Sequence, residues 1–362
     1  MREPVWRTQS GRIANGLRAA VIHRRVPLLR LLSVCSVISF LALSGLPAHA
    51  QESDSQIRYS IESKKAVKSL LLDIVRAGDR LVAAGDRGHI LYSDDGGATW
   101  QQAKVPTRQM LTAVYFVDDT HGWAVGHDAL ILATEDGGQT WTRQYEERER
   151  EAPLLDVWFE NRQHGIAVGA YGALLETTDG GKTWHDIADR LDNEDGFHLN
   201  AIAAIPGGGV FIVGEMGGMF RSADQGMTWE RVESPYEGSL FGVIGSGEPG
   251  GVIAFGLRGH LFRSADFGNS WEQVELNEVN GGLLESGLAD GARLPDGRLV
   301  VVGHGGAVLI SDDQGRSFDV HARSDRLSLA GVTSDSKGNL ILVGQGGVRV
   351  ASPTGADQAQ SN

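Results

Sequence analysis

Six aspartates recur along this 362-residue chain at spacings of 41, 43, 45, 42 and 47 residues: Asp95, Asp136, Asp179, Asp224, Asp266 and Asp313. Regularly placed carboxylates suggest a cation, and calcium takes six to eight oxygens at about 2.3–2.6 Å. Here each Asp stands in its own copy of one short pattern: SDDGGATW from 93, TEDGGQTW from 134, TTDGGKTW from 177, SADQGMTW from 222, SADFGNSW from 264 and SDDQGRSF from 311. Successive copies belong to successive structural units, so the spacing gives no convergence on one ion. The chemistry the pattern supports is local. A Ser or Thr hydroxyl and the Asp carboxylate satisfy turn N–H groups, Gly takes the left-handed conformation, and the aromatic residue packs. A structural role is therefore expected for the six boxes, with no metal and no cofactor.

A second set of reactive side chains recurs with the same period: Arg87, His127 with Asp128, Tyr171, Glu215, Arg258, His304 and Gln345. Arginines could clamp a carboxylate, and a Tyr assisted by a Glu could act as a nucleophile at a sugar. Tyr171 and Glu215 could pair across neighbouring units, with Arg87 and Arg258 as clamp candidates. Each of these residues is more readily explained as a solvated loop side chain, but loops on a rigid scaffold are where function concentrates.

The elements that carry both sets follow from the glycines. Eight residues before each box stands Gly85, Gly126, Gly169, Gly214, Gly256 or Gly303, and five before it a second small residue, Gly88, Ala129, Gly172, Gly217, Gly259 or Gly306. Each pair brackets a reversal between apolar runs of four to six residues, which is strand length, and a hairpin with positive φ is expected there. One repeat reads as strand A (LTAVYFVDD), strand B (GWAVG), strand C (ALILAT), the box turn and strand D (TWTRQY). A four-stranded sheet has two faces to bury, and stacking copies around an axis buries both. The frame continues to Gly344, Gly347 and Ser352, where the box has decayed to SPTG. The fold class is thus all-β: a seven-bladed β-propeller over about residues 65–355. After strand C of the seventh repeat only polar residues remain, the tail being 356–362. The segment Ile57 to Ile61 (IRYSI), within 51–64, is therefore expected to pair into the last blade and close the ring.

Residues 1–50 read as a signal peptide: basic residues ending in Arg24, Arg25 and Arg30, an apolar run from Leu31 to Leu46, then Ala48, His49 and Ala50 before the expected cleavage. Cys35, the only cysteine, lies in that run, so the exported chain has no disulfide and relies on packing. The net charge is −13, and removing residues 1–50, which hold seven Arg and one Glu, leaves −19. Such a field repels phosphate backbones and anionic surfaces. This argues against nucleic acid or peripheral membrane binding as the main activity, although a local basic patch is compatible with it, and no direct membrane insertion is expected after cleavage. The run EERERE at 146–151 reads as a solvated loop, and DIADRLDNEDGFHLN at 186–200 as the longest polar insertion.

The boxes resemble the bacterial neuraminidase repeat. Blades of the form GWAVGxxGxILxTxDGGxTW at this spacing are similar to the photosystem II stability/assembly factor family, over about residues 65–355. The resemblance implies a non-enzymatic, monomeric scaffold in the periplasm or a thylakoid lumen, which holds a membrane protein complex or its assembly intermediates on one face of the ring. In propellers that face is where the loops joining B to C and D to A surround the axis, opposite the boxes. Arg87, His127, Asp128, Tyr171, Glu215, Arg258 and His304 would line it. The alternative is a sialidase-type glycoside hydrolase, but the arginine motif expected near the start of such chains is missing, and near-uniform blades leave little room for a built active site.

Overall fold

Each repeat folds as an antiparallel sheet whose innermost strand opens on a buried leucine: Leu71, Leu111, Leu154, Leu199, Leu240, Leu288 and Leu329. The computed structural model describes residues 57–278 and 281–356. In blade 1 the strands, A to D, are Leu71–Ala77, Arg80–Gly85, Ile90–Ser93 and Gln101–Gln102. Four-stranded blades follow over 111–145, 154–186, 199–231, 240–273 and 288–322, and the seventh has three strands, Leu329–Ser334, Leu340–Gly344 and Arg349–Ala351. Among the described residues no helix is long and apolar enough to cross a membrane. The expected signal peptide at 1–50 and the residues from 357 lie outside the described residues.

Seven hydrophobic clusters lie between consecutive blades. The one joining blade 7 to blade 1 contains Ala66, Leu71, Ile74, Leu81, Ala83 and Leu91 with Ile341 and Val343, so the ring is closed by packing. All seven draw their residues from 66–351. All these core residues lie in the unit Ser55–Asn362.

The ring closure differs from the expectation. Ile57–Ile61 does not complete the last blade, which stays three-stranded. The 3₁₀ turn Ala66–Lys68 leads into strand A of blade 1, and its Val67 carbonyl accepts the Val348 N–H at 3.0 Å, which ties blade 7 to blade 1 directly. Upstream residues are thereby left on the blade 1 side. There the Ser60 N–H donates to the Val105 carbonyl at 2.9 Å, the Gln102 amide donates to Ser60 Oγ and the Ile61 carbonyl at 3.1 and 3.0 Å, and Arg108 donates to the Tyr59 carbonyl at 2.9 Å. Gln102 on strand D of blade 1 satisfies this segment, so it needs no sheet partner elsewhere.

The glycine pairs also work differently from a simple positive-φ hairpin. The first glycine is extended, at φ −179 in Gly126, and a Cβ there would lie 2.2 Å from the Met110 carbonyl oxygen. Close backbone approach to the neighbouring strand excludes any side chain. The left-handed conformation falls on the two residues that close the turn, such as Arg87 (φ 57) and Gly88 (φ 68).

Candidate partner-binding face

The boxes form one rim of the ring, and their polar atoms are consumed within each turn. In the first, Ser93 Oγ donates to Asp95 Oδ1 at 2.8 Å and accepts the Gly97 N–H at 2.9 Å, while the Thr99 N–H and hydroxyl donate to Asp95 at 2.8 and 2.6 Å. The same set recurs around Asp136, Asp179, Asp224, Asp266 and Asp313. The Thr99 hydroxyl, its N–H and the Ser93 hydroxyl hold the Asp95 carboxyl down at about 2, and the Thr228 hydroxyl leads the same set at Asp224, also at about 2. The decayed box keeps half of this, with the Ala356 N–H donating to Ser352 Oγ at 3.1 Å and Thr354 in place of the Asp. Among the described residues no group of three or more His, Cys, Asp or Glu is arranged to hold a metal.

The opposite rim is built from the B–C turns, each a three-residue 3₁₀ turn whose middle residue is left-handed: Arg87, Asp128, Tyr171, Met216, Arg258 and Gly305. Glycine would sit there without strain, as it does in blade 6, whereas a side chain at positive φ costs on the order of 1 kcal/mol. Five blades nevertheless carry one. His127, Glu215 and His304 stand one residue earlier in their turns.

The structure brings two of the sequence-identified residues together through a third. The Tyr171 ring meets His198 edge-on with centroids 5.0 Å apart, and His198 Nδ1 lies 3.5 Å from Glu215 Oε1 while the His198 main-chain N–H donates to Glu215 Oε2 at 3.2 Å. Asp128 accepts the Gln109 amide, and Arg87 lies 3.3 Å from the neighbouring Asp86. Among the described residues no hydrogen bond or ion pair joins Arg87, His127, Arg258 and His304 to one another, and no arginine meets Tyr171 or Glu215 as a carboxylate clamp would require.

Residues outside the sequence candidates complete this face. Tyr171, Met216 and Leu283 are each more than half exposed, and Leu257 is 40% exposed. They form an apolar arc across blades 3 to 5 and into the loop before blade 6. Beside it Tyr236 stacks on His260 at 4.4 Å, and a cavity of about 600 Å³ is lined by Arg258, His260, Gln273, Leu276, Leu283 and Glu285. His198 comes from the polar insertion at 186–200, which is ordered by Asn193 bonding both ways with Phe197 and by the Arg190–Glu176 pair at 3.0 Å. The charge run at 146–151 is likewise paired internally, Arg148 with Glu146 at 3.0 Å and Arg150 with Glu147 at 3.4 Å.

Three half-buried carboxyls line the inner strands between the rims. Asp73, Asp156 and Asp290 occupy the same place in blades 1, 3 and 6, just after the strand A bulge, where blades 2, 4, 5 and 7 carry Ala113, Ala201, Gly242 and Gly331. Each accepts a main-chain N–H of the next blade: Val114 at 2.7 Å, Ile202 at 2.9 Å and Val332 at 3.0 Å. Burial pushes the Asp156 carboxyl up to about 7, with the Asp73 charge adding to it, and raises Asp73 and Asp290 in the same way. A charged residue inside the apolar runs LLD, LLD and LAD is the signal that marks them.

The family model described as photosynthesis system II assembly factor YCF48 matches residues 97–154 and 147–347, and the BNR/Asp-box repeat matches 91–102. The chain belongs to the YCF48 assembly factor family. Among its relatives, the photosystem II stability/assembly factor HCF136 of Cyanidioschyzon merolae is 37% identical over 109 residues, 28% of this chain and 24% of that protein. The photosystem II assembly protein Ycf48 of a Synechococcus strain is 36% identical over 143 residues, 38% of this chain and 41% of that protein. The chain thus matches between about a quarter and two-fifths of the length of these curated relatives. A solved structure described as YCF48 bound to D1 peptide superposes with a TM-score of 0.57 at 20% identity, covering 78% of this chain and 91% of that one, a likeness of fold.

Proposed function

We propose that this family member is an exported, non-catalytic, monomeric scaffold that holds a segment of a membrane protein or its assembly intermediate on the B–C turn face. The observation that carries this reading is the arc Tyr171, Met216, Leu257 and Leu283 beside the strained turns. These are apolar side chains held outward by a rigid ring, flanked by Arg258, His198 and His260. An exposed apolar patch rimmed by polar groups is what a partner protein covers. A relative bound to a D1 peptide supports a photosystem II subunit, or its counterpart in the host, as the kind of partner. Names of relatives place them in the chloroplast, in keeping with a periplasmic or lumenal site of action.

The test is co-purification from the native membrane fraction. Tyr171→Ala with Met216→Ser is expected to abolish capture of a membrane partner while leaving the melting temperature unchanged. Undiminished capture, or turnover of a fluorogenic sialoside that Glu215→Gln removes, overturns the proposal.

A further inference from the structure

The point where the chain enters the propeller carries a second exposed apolar group, of a different character. Ile57, Tyr59 and Ile61 are 50%, 40% and 61% exposed, although they precede the first blade and bind no sheet. Their segment is fixed through its backbone and through Ser60, so the apolar side chains are presented outward. Around them stand Arg58, Lys64, Lys65 and Lys68 from the segment and Lys104 and Arg108 from blade 1, all exposed. Lys104 Nζ lies 5.1 Å from the Tyr59 ring centroid, and Arg108 holds the Tyr59 carbonyl. Within residues 57–68 four cations meet one acid, Glu62, and Lys104 and Arg108 add two more cations, on a chain whose charge from residue 51 onward is −19.

We infer that this patch is a docking surface for an anionic lipid bilayer. The composition of the patch favours lipid over a folded partner. The patch combines aliphatic and tyrosine side chains with long flexible cations, the composition that sits at a headgroup boundary.

Docking here has a consequence for orientation. Arg108 lies in the loop whose Thr107 carbonyl closes against Gly88 of the blade 1 turn, a Cβ on Gly88 meeting it at 2.4 Å. The patch therefore borders the B–C turn rim, and binding lipid through it sets that rim beside the membrane in which a partner would reside.

The experiment uses the unit that starts at the expected mature residue, Gln51, and vesicles of phosphatidylcholine alone or with one-third phosphatidylglycerol. Sedimentation with the anionic vesicles at low salt, and not with neutral ones, is expected. Lys64→Glu with Lys65→Glu should lower that partition at least tenfold, since each basic residue near an anionic surface contributes about 1 kcal/mol. Ile57→Ser with Ile61→Ser should reduce what remains at high salt, where the Coulombic part is screened. Lys182→Glu, on the box rim, should change nothing. All replaced side chains are exposed, so equal melting temperatures confirm that the variants fold. Failure of the unit to bind anionic vesicles overturns the inference, as do equal losses in the Lys182 variant or capture of an acidic protein through the patch without lipid binding. Tyr171→Ala should leave vesicle binding intact, so this inference and the partner-binding proposal fail separately.

Discussion

The two rims of this propeller repeat the same number of times but keep different things constant. On the box rim the side chains repeat: six hydroxyls, six aspartates and their Ser or Thr partners form one network again and again, closed upon its own turn. On the B–C rim the backbone repeats while the side chains do not, so that Arg87, Asp128, Tyr171, Met216 and Arg258 stand at one left-handed position. Side chains retained in every copy serve the copy that carries them. Side chains that vary on a constant, strained backbone are free to meet something else.

That contrast breaks first at the glycines, which both rims depend on. Gly126→Ala forces a methyl against the Met110 carbonyl in strand A, and should cost roughly 3 kcal/mol or more, read as a collapse of the urea midpoint. Gly305→Ala, at the left-handed position of the blade 6 turn, meets only Ser286 Oγ at 3.3 Å and should cost about 1 kcal/mol. If the two substitutions cost the same, the separation between close approach and φ preference fails.

The inner carboxyls and the boxes respond to pH in opposite senses. Asp156, Asp73 and Asp290 have folded values above that of the unfolded chain, so their contribution is fully present below about pH 4 and is lost as pH rises through the folded values, about 7 for Asp156. Asp95 and Asp224, held at about 2, contribute above about pH 4 and lose this as pH falls toward 2. His89, lowered by burial, opposes the inner trio by favouring the unfolded chain as pH falls through its ordinary value. With three carboxyls against one imidazole, the melting temperature should rise from pH 8 to a maximum near pH 4–5 and then fall. Asp156→Ala, which copies the alanine of blades 2 and 4, should flatten the slope between pH 5 and 8. An unchanged slope would mean that the carboxyl does not titrate there.

Within the box rim, Asp136→Ala strips the acceptor of the Thr134 hydroxyl, the Gln139 N–H and both Thr140 donors, and should cost about 1–3 kcal/mol. Ser352→Ala in the half-box loses fewer bonds, at the end of a three-stranded blade, and should cost less by thermal melts.

What could be read in advance follows the same division. Blade count, strand order and box chemistry were legible because Gly, Asp and Trp answer to backbone geometry within a few residues. IRYSI alternates like a strand, yet its partner depends on Gln102 and on where Val67 ties the ring, which no local pattern encodes. Asp73, Asp156 and Asp290 are marked only by one charge in each apolar run, at a bulge that sequence alone does not locate, and His198 is masked by the polar insertion around it. Left-handed turn positions held by Arg, Tyr and Met carry no compositional mark at all.

The smallest expected effect is the most informative about the B–C rim. Arg87→Ala and Arg258→Ala remove side chains whose backbone strain is already present, Arg87 meeting only its neighbour Asp86. Each should leave the melting temperature within the range of ordinary surface changes, about 0.5 kcal/mol, and replacement by glycine should stabilise slightly by relieving the left-handed conformation. A side chain that strains its own turn and is not needed for folding is free to contact another molecule. Loss of partner capture at constant stability would therefore separate the two rims, whereas a stability loss of box-like size would place these residues with the structural aspartates.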